Sequence, residues 1–120
     1  MNLAEAFAGF SEYWSPRIAG EINDSYVKLV KLSGEFAWHH HEHEDELFLV
    51  VKGTLRMRVR ADGEESELRI AAGEFVIIPR GMEHLPIGDE EVHVVLLEPK
   101  STVNTGNVRN EHTKMELPRL

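Results

Sequence analysis

The sequence predicts an all-β sandwich or barrel preceded by one short helix. Three observations carry that expectation: apolar residues recur with a period of two along most of residues 26–97, the runs are short and separated by Gly, Pro or Asp signals, and 120 residues suit one globular domain. Neither an internal repeat nor a low-complexity segment interrupts the pattern.

At the N-terminus Leu3, Ala6, Phe7 and Phe10 recur at helical spacing after Asn2, a good capping residue, and Ser15-Pro16 is a stop signal; a helix to about Tyr13 is expected. The period then changes. Tyr26, Lys28, Val30 and Leu32 alternate with Val27, Leu29 and Lys31, and further strands are expected over residues 35–41, 47–51, 55–61, 65–71, 75–78 and 92–97. Within these, Leu55, Met57 and Val59 alternate with Arg56, Arg58 and Arg60, Asp62-Gly63 offers the positive φ angles of a tight turn, and Leu68 and Ile70 return on the apolar face. The arginines face acidic residues across that turn, so they read as a solvated ladder of cross-strand pairs rather than an anion site. The last twenty residues, from Ser101, have no sustained period; they are expected to wrap the surface or cross to another subunit.

Composition excludes several classes of partner. Thirteen basic against 21 acidic residues give a formal charge of -8, and no block of Lys or Arg stands apart from nearby carboxylates, so neither nucleic acid nor an anionic membrane is an expected partner. Cysteine is absent, which leaves only nitrogen and oxygen donors for any metal and suits a reducing compartment. The opening residues have neither a basic start nor a long apolar run, and no stretch reaches the roughly 18 apolar residues of a spanning helix. A cytoplasmic location is the expectation.

The stretch Trp38-His39-His40-His41-Glu42-His43-Glu44-Asp45-Glu46 concentrates four imidazoles and several carboxylates, far more than a structural strand needs. On a strand, same-face neighbours stand roughly 6.6 to 6.8 Å apart, so His39 and His41 can converge on one ion. His40 then shares the opposite face with Trp38. His43 keeps the parity of His39 and His41 and is a rival ligand at this point. Glu46 lies five residues past His41, so a turn at Glu44-Asp45 must intervene before it heads a strand with Phe48 and Val50; a carboxylate in that row is costly to bury alone, and a cation offsets the cost. Further on, Gly73 to Ile78 reads as an apolar strand, followed by a Pro79-x-Gly81 turn and His84.

These two segments resemble the cupins. The first cupin motif runs Gly, five residues, His-x-His, three or four residues, Glu, six residues, Gly; here it is His39-x-His41, four residues, Glu46, six residues and Gly53, with Gly34 one position closer than the pattern has it. The second runs Gly, five residues, Pro-x-Gly, two residues, His, three residues, Asn, and appears as Gly73, Pro79, Gly81 and His84, with Gly88 in place of the final Asn. The likeness covers about residues 26–99. It is strongest to the small one-barrel cupins labelled mannose-6-phosphate-isomerase-like, a fold-level label, through Leu97-Glu98-Pro99 and Asn104 to Asn107 as well.

The resemblance implies a single antiparallel cupin barrel, the jelly roll or double-stranded β-helix, over residues 21–100, with a helix and lead-in over 1–20 and an irregular tail over 101–120. It implies one divalent first-row metal, Fe, Mn, Ni or Zn, held by His39, His41, Glu46 and His84, with two positions of an octahedral ion left for other ligands. Two functions follow from it. One is a metal-dependent enzyme of dioxygenase or isomerase type acting on a small oxygen-bearing molecule; the other is a non-catalytic ligand-binding or sensor module with a structural metal. Tyr26, Glu83, His43 and His93 are the further proton-handling candidates, His93 reading first as a satisfied core histidine. A homodimer is expected, because Phe48 to Val51 and Val94 to Leu97 are apolar on both strand faces and one short helix is little cover.

Overall fold

Asn2 caps the first helix, its Oδ1 accepting a hydrogen bond from Glu5 N at 2.9 Å. In the computed structural model, which describes residues 1–120, helix α1 spans only Leu3–Ala8. It ends earlier than its periodicity predicts, because Gly9, a poor helix former, turns its N–H back to Ala6 O at 3.1 Å and the chain straightens. The apolar spacing still serves burial. Phe7 and Phe10 pack with Leu29, Val51 and Val95 on the outer face of the sheet.

Seven strands follow: β1 (Arg17–Ile22), β2 (Ser25–Glu35), β3 (Glu46–Lys52), β4 (Thr54–Ala61), β5 (Glu64–Ala71), β6 (Phe75–Ile78) and β7 (Glu83–Pro99). All their pairings are antiparallel. β1 has no clear alternation, which hid it in the sequence, and its pairing with β2 slips between Ile18 and Gly20. The strand expected over residues 35–41 does not form; β2 continues to Glu35 instead, and beyond it only His39 makes a ladder contact, with His84. β7 is far longer than residues 92–97. Pro86 and Gly88 in its first half read as turn residues, yet that half pairs with β4 from Arg56↔Ile87 to Arg60↔Glu83.

β7 is the hinge of the architecture. Its second half lies between β2 and β3, with β1 beyond β2 and β6 beyond β3, while its first half joins β4, which carries β5. Gly88 sits opposite Gly34 where the β2 register slips, and a Cβ on it would lie 2.8 Å from Glu90 O and 3.3 Å from Leu32 O. Backbone proximity disfavours the Asn that the second motif has there. The two halves enclose a core of Trp14, Val30, Leu32, Phe48, Val50, Leu55, Met57, Val59, Ile70, Ile78, Val92, Val94 and Leu96.

The β4–β5 hairpin turns at Asp62 (φ 52°) and Gly63 (φ 78°), and the arginine ladder forms as expected, with Arg56 on Glu67 and Asp89, Arg58 on Glu65 and Arg60 on Glu83. Leu68 departs from expectation. It is 39% exposed, because β5 has β4 as its only partner and overhangs the core, leaving Ile70 as its one buried residue. The tail wraps its own barrel: Ile18 N donates to Pro118 O and Leu120 N to Ile18 O, both at 2.9 Å. No helix is long and apolar enough to cross a membrane.

Candidate metal centre

His39, His41, Glu46 and His84 converge inside the barrel. All four are buried, and one donor atom from each lies within 4.8 Å of the others. Each is placed by a different local device. His39 exchanges backbone hydrogen bonds with His84, His39 N to His84 O at 3.1 Å and His84 N to His39 O at 2.9 Å, so this single rung replaces the expected strand. The carbonyl of His41 accepts from Gly81 N at 2.7 Å, where Gly81 takes φ 83°, so the Pro79-x-Gly81 turn docks on the first motif. Asp45 closes the intervening loop by accepting from Arg80 N at 2.9 Å. Glu46 begins β3 opposite Ile78 and shares the inward face with Phe48 and Val50.

The ring orientations suit coordination. His39 Nδ1 sits 2.8 Å from Ala37 O and His84 Nδ1 sits 2.9 Å from Met82 O; as donors to these carbonyls they leave each Nε2 lone pair free. Glu46 Oε1 lies 3.3 Å from His41 Nε2 and 3.4 Å from His84 Nε2, yet all three atoms lack a hydrogen-bond partner in the protein. Buried donor atoms facing one point without partners are what a cation satisfies. Burial, then the neighbouring His84, lowers the His39 pKa to about 3, so this imidazole is neutral and available as a ligand at neutral pH.

Behind Glu46 is a charged pair that sequence reasoning did not single out. Glu98 and Lys28 are 2% and 1% exposed, and Lys28 Nζ donates to Glu98 Oε1 at 2.6 Å. In the β3–β7 ladder Glu46 and Glu98 lie next to the Leu47↔Leu97 pair, across from each other, and both line the same cavity. Burial, reinforced by the adjacent Glu46 charge, pushes the Glu98 carboxyl well above its ordinary value. Burial alone would also raise Glu46, but the neighbouring Glu98, His41 and His84 outweigh it and hold Glu46 well below the ordinary range. A signal was present: Lys28 lies in an inward row with Val30 and Leu32, and Glu98 in one with Val94 and Leu96, so opposite charges occupy two apolar rows.

A cavity of about 40 Å³ adjoins the cluster, room for roughly three waters, and is lined by Trp14, Phe36, Phe48, Leu96, His39, Glu46, Glu98 and Asn104 among others. Asn104 belongs to the tail. So does Asn107, whose Oδ1 accepts from His40 N at 2.8 Å, while a Cβ on Gly106 would meet His40 O at 2.2 Å. The tail therefore buttresses the loop that carries His39 and His41, a role no local pattern announced.

The remaining sequence candidates lie outside the cluster. His43 has an 85% exposed side chain near Glu42 and is no rival to His41. His40 faces away, as its parity predicts, and its side chain is half-buried. Glu83 is paired with Arg60 at 2.8 Å, and Tyr26 stands among Lys28, Lys100 and Arg119. His93 is satisfied as expected, though outside the core: Nε2 lies 2.6 Å from Glu91 Oε2 and the ring stacks on Phe7 at 4.6 Å.

Comparisons with known proteins agree with this fold. The family description "Cupin domain" matches residues 26–98. A cupin-2 domain containing protein from Shewanella frigidimarina NCIMB 400 superposes with a TM-score of 0.78 at 41% identity, over 83% of this chain and 94% of that one. The uncharacterized protein YdbB of Bacillus subtilis (strain 168) is 34% identical over 96 residues, 80% of this chain and 71% of its own length. A shorter likeness, 34% over 47 residues, links 39% of this chain to 28% of an acireductone dioxygenase from Rhodopseudomonas palustris (strain TIE-1).

Proposed function

This chain belongs to the cupin-domain family, and from that premise we propose that it is a metal-dependent enzyme of dioxygenase or isomerase type acting on a small oxygen-bearing molecule. The observation that carries the reading is the convergence of four buried donors whose facing atoms, Glu46 Oε1, His41 Nε2 and His84 Nε2, have no protein partner. His39, His41, Glu46 and His84 would hold one Fe, Mn, Ni or Zn ion. Such an ion supplies Lewis acidity and, when redox-active, electron transfer. The protein's own groups do the rest: the carbonyls of Ala37 and Met82 fix two imidazole tautomers, and Trp14, Phe36 and Phe48 keep bulk water from the inner face. The short likeness to a dioxygenase supports the oxygenase branch.

The size of the cavity favours a second reading. At about 40 Å³ it admits only a very small molecule without rearrangement, which suits a ligand-binding or sensor module with a structural metal. The two readings separate experimentally. Metal-loaded protein is assayed for oxygen uptake and isomer exchange across diketones, keto acids, phenols and sugar phosphates; turnover that disappears with chelation supports the enzyme, and ligand binding without turnover supports the module.

A homodimer completes the proposal. Phe75, Ile77 and Leu97 are 62%, 53% and 37% exposed, and they flank Leu47 on three neighbouring strands, so α1 covers only part of the outer sheet face.

A further inference from the structure

His39 and His41 are separated by one residue, and so by two peptide units, and the tail grips both of them. Asn107 Oδ1 accepts from His40 N at 2.8 Å, which holds the peptide between His39 and His40; Asn107 N donates to His40 O at 3.1 Å, which holds the peptide between His40 and His41. Gly106 makes the approach possible. Its φ is 56°, and a Cβ on it would lie 2.2 Å from His40 O and 3.1 Å from His39 Cδ2, so only a glycine lets the tail backbone rest on the ligand loop, beside the ring atom next to Nε2. The grip has a stiff mount. Gly106 N donates to Val103 O at 2.8 Å, Arg109 Nη1 donates to Gly106 O at 2.7 Å, and the hydroxyls of buried Thr105 and of Thr113 share a hydrogen bond of 2.8 Å. His41 is the ligand that depends on it most. Carbonyls fix the Nδ1 atoms of His39 and His84, whereas neither ring nitrogen of His41 has a hydrogen-bond partner in the protein, so its ring is placed by packing and by the backbone that carries it. That backbone is held by Gly81 N on His41 O and by Asn107 on the residue before.

We propose that Asn107, seated by Gly106, is a positioning residue of the metal centre: by fixing both peptide units between His39 and His41 it sets the separation of the two imidazoles and the place of the His41 ring. The inference rests on the metal-centre reading and goes beyond it, because Asn107 is no member of the ligand quartet and acts on it only through the backbone of a loop 67 residues away in sequence. Asn107 is exposed, so water replaces its side chain on His40 when that is removed, and what is lost is geometry rather than fold.

Three single variants isolate the grip. Asn107→Ala removes the acceptor for His40 N, Asn107→Asp keeps an oxygen there, and Gly106→Ala forces the tail off the loop. Zinc affinity of each full-length protein is measured by chelator competition, the visible spectrum is recorded after cobalt loading, and melting temperature is recorded without metal. Asn107→Ala is expected to bind zinc about tenfold more weakly than wild type with an altered cobalt spectrum, and Gly106→Ala at least as weakly, while Asn107→Asp stays within about twofold with the wild-type spectrum. A merely structural role would lower the melting temperature and leave zinc affinity and the cobalt spectrum where they are. That result overturns the assignment while leaving the quartet in place, and so does an Asp variant as weak as the Ala variant. Wild-type protein that takes up no zinc overturns the metal centre and this inference together. Should the Ala variants fail to fold, hydrogen exchange of wild type decides: zinc is expected to slow exchange of the Asn107 amide, which pairs with His40 O, relative to the Leu120 amide, which pairs with Ile18 O, and an unchanged ratio counts against the proposal.

Discussion

His39 and His84 are bound to each other through their backbones as well as facing each other through their rings: reciprocal N–H···O bonds of 3.1 and 2.9 Å join them, and the ring centroids are 4.2 Å apart. This rung ties the first motif to the second independently of any ion. The centre is therefore preorganised, and the consequences for metal binding, stability and assembly can be measured separately.

Purified protein is expected to contain about one first-row divalent ion per chain, and His41→Ala/His84→Ala is expected to empty the site, with metal content read by elemental analysis. The His39–His84 rung uses only backbone atoms, so the double variant should keep its fold by circular dichroism. Full occupancy in that variant removes the quartet from consideration.

Glu46→Gln retains size and an oxygen donor but removes a charge. Metal affinity is expected to fall by about 10- to 100-fold, while the three imidazoles keep some ion bound. For the enzyme reading, turnover per bound ion must change as well, since charge at the metal sets its Lewis acidity. Unchanged turnover per ion contradicts the role given to Glu46.

Stability of the metal-free protein should fall in acid. Folding lowers the His39 pKa from 6.5 to about 3, so below about pH 6.5 the unfolded chain takes up a proton that the folded chain refuses. Stability from this residue is complete above that pH and is lost as pH falls toward 3, at about 1 kcal/mol per pH unit. Urea midpoints between pH 7.5 and 4.5 check the slope, and His39→Gln should flatten it.

Gly88→Asn restores the residue that the second cupin motif has at this position but places a Cβ 2.8 Å from Glu90 O and 3.0 Å from Val92 Cγ2. Backbone must move, so a loss of about 1 to 3 kcal/mol in unfolding free energy is expected. A neutral or stabilising result would show that the β7 bend is soft.

For the outer sheet face, light scattering at micromolar concentration should give a dimer mass, and Phe75→Glu/Ile77→Glu should give a monomer with the same metal content. A monomeric wild type refutes the dimer.

How much of this was legible beforehand differs from residue to residue. The period of two, the Asp62-Gly63 turn and the placing of Glu46 at the head of a strand are local features, and local chemistry suffices to read them, whereas the choice of the quartet over His43 came from the resemblance to the cupin motifs. Tertiary structure decided what depends on pairing partners. β1 is a strand because β2 offers it an edge, and the first half of β7 is extended through Pro86 and Gly88 because β4 lies beside it. His43 shared the parity of His39 and His41 but ended in solvent, since that segment is held by one rung to His84 and a dock on Gly81 rather than by a continuous ladder. Lys28 and Glu98 are 70 residues apart in sequence, and only the β2–β7 register brings them to 2.6 Å behind Glu46. Sequence by itself determined which residues can carry the chemistry, because donor type and spacing are intrinsic to the chain. The fold decided which of them meet, because burial and register are properties of distant segments packed together.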